Sequence, residues 1–461
     1  MLSRVVGCLL AGLLLFSQPP ARRAVSLIVT GGIVVTMDPE GRIVSPGALA
    51  IEGRDIAAVD TPQNIAARFS ASESIDATGQ VIMPGLINTH THAAMVLYRG
   101  LADDLALMDW LQKYIFPAEA KTVTPEFVRA GTRLAALEMI QSGTTTYADM
   151  YYFEEEVAKA TREAGLRGVL GQTIIQFPVA DAKTPAEGLA RTEAFITQFA
   201  QDDLIVPAIA PHSMYTLEEP TLKAVRAMAD RTRAPVLIHL AETADEVKTS
   251  REKHRATPAQ FLESIGFWGP RTLAAHGVWL TPSDMAILAR RQVSVSHNPE
   301  SNMKLASGAA RVVAMRRAGI DVALGTDGAA SNNDLDMFEA MRQAAFLAKL
   351  QTSDPRAIPA RTAIEMATID GARALGLGEQ LGSIEAGKRA DVITVAMTAP
   401  RQTPMYDPLS HLVYTTRGDD VRTTIVNGRV LMRDRRVLTL DEAAVMREAR
   451  ALADKVKAAV Q

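Results

Sequence analysis

The chain has 461 residues, 48% hydrophobic and 22% charged, enough to bury a large core in two or three domains. A net charge of -3 without any basic run gives no electrostatic basis for binding nucleic acid. The single cysteine, Cys8, excludes internal disulfides and a thiolate metal site in the body of the chain.

Residues 1–24 carry a targeting pattern. Arg4 precedes twelve apolar or small residues, Val5 to Phe16, and then Ser17-Gln18-Pro19-Pro20-Ala21-Arg22-Arg23. That run is too short to span a bilayer, which takes roughly 20 residues, and it suits the core of a signal peptide. Neither Pro19-x-Ala21 nor Leu15-x-Ser17 makes a good cleavage site, so an uncleaved membrane anchor is the alternative. The expectation is export, to the periplasm or beyond, with membrane contact only if this segment is retained.

Residues 25–80 alternate short β-rich runs with turn formers. Ser26–Thr30, Gly32–Met37 and Ala48–Ile51 are separated by Gly31 and by Asp38-Pro39-Glu40-Gly41. Residues 385–440 look alike, with Ala390–Val395 and Val421–Val430, the latter broken by an Asn427-Gly428 hairpin signal. Two β-rich ends around a different middle predict one β-sandwich domain built from both. Residues 441–461, rich in Ala, Glu, Arg and Lys, read as a surface helix.

The middle, residues 81–384, alternates strands with amphipathic segments. The strand candidates are Val81–Ile87, Thr144–Ala148, Gly168–Ile175, Leu204–Ala210, Pro235–Leu240, Arg271–Ala275, Gln292–Ser296 and Asp321–Gly325. Helical stretches such as Phe127–Gln141, Glu154–Ala164, Leu222–Asp230, Pro282–Arg290 and Arg311–Ala318 lie between them. This repetition predicts an α/β chain with a (β/α)8 TIM barrel, whose active site lies where the strands end. The residues that follow the strands carry the chemistry. His90 and His92 follow strand one, where positions i and i+2 share a face. His212 follows strand four, His239 and Glu242 strand five, His276 strand six, His297 strand seven and Asp327 strand eight. Six of the chain's eight histidines therefore fall on one rim. His254 sits in a charged helical stretch, and His411 precedes a strand-like Leu412-Val413-Tyr414; both read as structural.

The order His-x-His, His, His-x-x-Glu, His and Thr-Asp resembles the amidohydrolase superfamily. His90-Thr91-His92-Ala93-Ala94-Met95, Arg99 to Leu105 and Ser296-His297-Asn298-Pro299-Glu300-Ser301-Asn302 resemble its S-adenosylhomocysteine/5′-methylthioadenosine deaminase branch, near the triazine chlorohydrolases and guanine deaminases. The residues agree with that resemblance. His90, His92, His239 and Asp327 offer three nitrogens and a carboxylate, suited to zinc, with ferrous iron as the alternative. Binuclear members carry a bridging lysine after strand four. Leu204–His212 contains none, so one ion is expected.

The resemblance further implies that Glu242 moves protons between water and a ring nitrogen. His276 would polarise the attacking oxygen, and Asp327 would pass a proton to the leaving amine. It implies that Glu119 binds ribose hydroxyls, Trp110 packs beside the ligand and His212 contacts purine or sugar, with His297 either lining the pocket or bracing its loop. An arginine expected near the end of strand three is missing; Gly171-Gln172-Thr173 stands there, and Lys183 is the only cation from Gly168 to Ala190. That disfavours a substrate with a carboxylate tail.

The expected activity is hydrolytic deamination of an aminated heteroaromatic ring, an adenosine-type nucleoside first. The alternatives are hydrolysis of another ring substituent or a cyclic amide, or a silent metal-dependent binding protein. The expected partners are a small-molecule substrate and, compatible with the sequence, a second copy of the chain.

Overall fold

A computed structural model describes residues 22–460. Cys8 and nearly all of the targeting pattern lie outside the described residues, and Arg23 already begins a strand. No helix among the described residues is long and apolar enough to cross a membrane.

The two chain ends meet in one nine-stranded mixed sheet. Arg23–Val35 runs antiparallel to Ile43–Glu52 and parallel to Phe69–Asp76 and Gln80–Pro84. Val392–Ala396 joins Gln80–Pro84 and leads into the hairpin Val421–Val426/Arg429–Arg433. At its turn Asn427 and Gly428 have φ of +52° and +74°, the two left-handed residues that a type I′ turn needs. Alternating apolar residues, among them Leu27, Val29, Leu49, Ile51, Ile82 and Val392, form the sheet's own core.

Gly31 does not end a strand as expected. Arg23–Val35 is continuous, with a register irregularity between Thr30 and Val34, so the glycine serves a bulge rather than a turn. The expected strand Val81–Ile87 is in fact two. Gln80–Pro84 belongs to the terminal sheet, whereas Leu86–Thr91 opens the barrel. Pro84 lacks an N–H to extend a ladder. At Gly85 a Cβ would stand 2.2 Å from the side chain of Thr145, so only glycine fits this crossing.

The barrel strands, numbered in chain order, are β1 Leu86–Thr91, β2 Thr144–Tyr151, β3 Arg167–Ile174, β4 Ile205–Pro211, β5 Val236–Leu240, β6 Thr272–His276, β7 Ser294–His297 and β8 Val322–Leu324. They pair in parallel, in that order. Thr89 Oγ1 donates to Leu324 O at 2.8 Å and Asp327 N to His90 O at 2.9 Å, tying β1 to β8. Gly325 permits this approach, since a Cβ there would lie 2.9 Å from His90 N.

Thr-Pro pairs open four of the outer helices, Pro125–Ser142, Pro185–Phe199, Pro258–Ser264 and Pro282–Arg290. In each, the threonine hydroxyl caps a free amide and proline fills a position that needs no N–H. The tail helix, Glu442–Val460, buries Val445, Ala449, Leu452 and Val456. Its Glu448 pairs with Arg133 of Pro125–Ser142. Leu412-Val413-Tyr414 is helical, not strand-like. Asp407 caps Pro408–Tyr414, and His411 bonds carbonyls of its own segment.

Candidate active site

The C-terminal ends of the barrel strands gather His90, His92, His239, His276, Glu242 and Asp327. β1 pairs with β2 through Asn88–Tyr147 and then Thr91–Asp149, a bulge of one residue. Such bulges re-aim side chains, and here His90 and His92 both face Asp327. His90 Nε2 and His92 Nε2 each lie 3.4 Å from Asp327 Oδ1, and His239 Nε2 lies 3.4 Å from His92 Nε2.

Hydrogen bonds behind the ring atoms decide what those nitrogens can do. His92 Nδ1 donates to Met150 O and His239 Nδ1 to His212 O, both at 2.7 Å. In the neutral rings each Nε2 is then left with a lone pair, and the two Nε2 atoms face each other at 3.4 Å. His90 Nε2 is buried without a hydrogen-bond partner among the described residues. Burial pushes His90 down to about 4 and His239 well below its ordinary value, so both rings are neutral at pH 7. Burial raises Asp327, but the His90 edge it faces and the charge on His276 outweigh burial and hold the carboxyl well below its ordinary value.

Lone pairs and a carboxylate about 3.4 Å apart match the edge of a tetrahedral shell with ligand distances of roughly 2.0–2.1 Å. The residues fit a divalent ion. Two groups bring their ligand atoms within 4.8 Å of one another, His90 with His92 and Asp327, and His90 with His239 and His276. His276 thus borders the expected ligands, its Nε2 4.0 Å from Asp327 Oδ2.

Glu242 and His276 flank this cluster. His276 Nε2 lies 3.8 Å from Glu242 Oε2 and 4.0 Å from Asp327 Oδ2. Its Nδ1 donates to Asn302 Oδ1 at 2.9 Å. Burial lowers His276, yet Glu242 and Asp327 together hold it above its ordinary value. Burial raises the Glu242 carboxyl. Ser301 Oγ and Gly328 N donate to Asp327, each at 2.7 Å. Ala241, His276 and Asp327 have φ of +48°, +76° and +64°, a left-handed backbone that is unfavourable for residues with a Cβ and clusters at functional sites. Glu246 clamps the first of these, accepting from Ala241 N at 2.9 Å and Glu242 N at 2.8 Å.

A cavity of about 600 Å³, mouth included, opens above the cluster. Trp110 and Glu119, from the segment after β1, line it, and His212 does too. Tyr151 OH donates to Glu119 Oε1 at 2.7 Å, and burial pushes that carboxyl up to about 7.

His297 does not line the cavity. It is fully buried, and burial pushes it down to about 3. Gln172 is not a wall residue either. Its Nε2 donates to Asp181 Oδ2 at 2.7 Å, and the neighbouring Thr173 faces the cavity instead. Lys183 is exposed. Three carboxyl groups, Glu119, Glu242 and Asp327, line the walls, and among the described residues no lysine or arginine does.

Sequence reasoning assigned nothing to β2, because its apolar run ended at Ala148. The strand continues to Tyr151 and brings Met150, Tyr151 and Tyr152 to the cavity. Tyr215, two residues past Ser213, was likewise missed. Ser301 and Asn302 lie within the run Ser296–Asn302, but only the fold gives them their bonds to Asp327 and His276.

Residues 81–431 match the amidohydrolase family. A 5-methylthioadenosine/S-adenosylhomocysteine deaminase of Syntrophobacter fumaroxidans is 48% identical over 94% of this chain and 98% of its own. A 5′-deoxyadenosine deaminase of Methanosarcina acetivorans is 47% identical over the same shares. The crystal structure of an adenosine deaminase from Xanthomonas campestris with bound zinc superposes with a TM-score of 0.93, at 39% identity, covering 95% of this chain and 100% of that one. With a family match over most of its length and relatives of this identity, the chain belongs to the amidohydrolase family.

Proposed function

We propose that the protein is a zinc-dependent deaminase of purine nucleosides with an uncharged 5′ group. 5′-Methylthioadenosine, 5′-deoxyadenosine and adenosine are the first candidates, with S-adenosylhomocysteine a poorer one. The observation that carries this reading is the convergence of Glu242, His276 and Asp327 with three histidines at one end of a cavity that also presents Glu119.

His90, His92, His239 and Asp327 would hold the ion, which supplies Lewis acidity that makes water a nucleophile near neutral pH. Glu242, its carboxyl raised by burial, takes a proton from the attacking water and delivers it to the ring nitrogen beside the reacting carbon. A carboxyl tuned towards neutrality can both accept and return a proton. His276 directs Nε2 at the incoming oxygen, its other nitrogen occupied by Asn302. Asp327 carries the second proton to the amine. The C–NH2 bond breaks, a carbonyl forms, and water and the aminated ring become ammonia and the oxo ring.

Glu119 would accept from sugar hydroxyls, its carboxylate keeping free acceptor sites beside the Tyr151 bond. Trp110 and His212 would flank purine and sugar. The absence of a cationic wall residue supports an uncharged 5′ end, and export, proposed on the N-terminal pattern alone, agrees with it. The test is ammonia release from a nucleoside panel by zinc-loaded protein. Protein that holds zinc but releases no ammonia from any aminopurine nucleoside would overturn the reading.

A further inference from the structure

Behind the histidine pair, β2 and the helix after it place two carboxyl groups against each other. Asp149 and Glu154 are both fully buried and lie within hydrogen-bonding reach of one another. Asp149 Oδ1 accepts from Thr91 Oγ1 at 2.7 Å and from Ala93 N at 2.6 Å. Those donors are the residues on either side of His92. Glu154 Oε1 accepts from Tyr151 N at 2.8 Å. The remaining oxygens, Asp149 Oδ2 and Glu154 Oε2, are buried and meet no other donor among the described residues.

We infer that Asp149 and Glu154 share one proton, and that this carboxyl–carboxylate pair is the bracket that holds His92 in its ligating position. The inference rests on the reading of His90 and His92 as metal ligands. Two adjacent buried carboxylates cannot both be ionised, and two neutral acids would weaken the bonds to Thr91 and Ala93. One proton between Oδ2 and Oε2 satisfies every oxygen. Asp149 already accepts two hydrogen bonds and Glu154 one, so Glu154 is the donor and Asp149 the charged acceptor.

The bracket acts where the chain departs from regular pairing. The β1 bulge ends at the Thr91–Asp149 pair, and nothing in a regular ladder would fix the residues on both sides of His92. Asp149 clasps Thr91 and Ala93, while Met150 O orients the ring from the next position along β2. Asp149 and Glu154 are positioning residues; neither lines the cavity.

The test compares wild type with Glu154→Gln, which offers a neutral donor of the same shape, and Glu154→Leu, which offers none. Two readouts are taken. One is the carboxylic-acid C=O stretch in the infrared difference spectrum, wild type minus Glu154→Gln, at pH 8. Other protonated carboxyls cancel in this difference. The second is the rate at which a chelator removes zinc. A protonated-acid band in wild type is expected, with zinc loss from Glu154→Gln within about threefold of wild type. Zinc loss from Glu154→Leu should be about 10–100-fold faster, the usual effect of removing a group that orients a ligand. Absence of the band overturns the shared proton. Zinc loss from Glu154→Gln as fast as from Glu154→Leu overturns the bracket. Should Glu154→Leu fail to fold, the band and the Glu154→Gln rate still decide. A wild type that holds no zinc would overturn the ligand set and with it the bracket, leaving the band to judge the proton alone.

Discussion

Replacing Glu119 by glutamine should make the protein more stable and less active at once. Burial pushes this carboxyl from 4.5 up to about 7, so the folded state holds the proton more tightly than the unfolded one. Stability from this group is therefore fully present below about pH 4.5 and is lost as pH rises to 7. At about 1.4 kcal/mol per tenfold in proton affinity, the loss at pH 8 is about 3 kcal/mol, and nearer 2 once water from the cavity mouth is allowed for. Glutamine has no charge to desolvate and still accepts from Tyr151 OH. Denaturant unfolding should show Glu119→Gln about 2–3 kcal/mol more stable than wild type at pH 8 and level with it at pH 4.5. The same change removes charged hydrogen bonds to sugar hydroxyls, each worth about 1.5–3 kcal/mol. Adenosine should therefore lose about 10–100-fold in kcat/KM, whereas 2′,3′-dideoxyadenosine should change little. Equal stability at pH 8, or equal losses for both nucleosides, would refute the reasoning.

Three further expectations follow from the same geometry. Glu242→Gln should keep zinc and fold yet lose at least about 10²–10⁴-fold in turnover, the range for general acid–base groups; more than about a tenth of wild-type activity would assign the proton transfer elsewhere. Elemental analysis should find one ion per chain, abolished by His239→Ala, and two tightly held ions would contradict the ligand set. Because no lysine or arginine among the described residues lines the walls, 5′-methylthioadenosine should surpass S-adenosylhomocysteine in kcat/KM, with Thr173→Arg narrowing the gap; equal efficiency in wild type would mean that only the nucleoside is recognised.

The barrel, the terminal β-domain and the rim where the polar residues gather are legible in the sequence. Hydrophobic runs spaced by amphipathic helices are local signals, and a histidine just past a strand end can lie only on one rim of a parallel barrel. His90, His92, His239, Glu242, His276 and Asp327 were legible for that reason. Which way a side chain turns at the rim was not. His276 and His297 follow similar short strands, yet one faces the cavity and the other is buried away from it. The difference accompanies the left-handed backbone at His276, with φ of +76°, which the local sequence does not announce. Gln172 and Thr173 divide the same way, since Asp181, in the loop that leaves the strand, folds back to claim the glutamine. Pro84-Gly85 read as the interior of one strand, because the sheet each half joins is chosen by partners hundreds of residues apart. Only the tertiary structure sets Tyr151 on Glu119 and Asp149 against Glu154: buried polar groups must find partners wherever the fold delivers them, and no spacing along the chain records that choice.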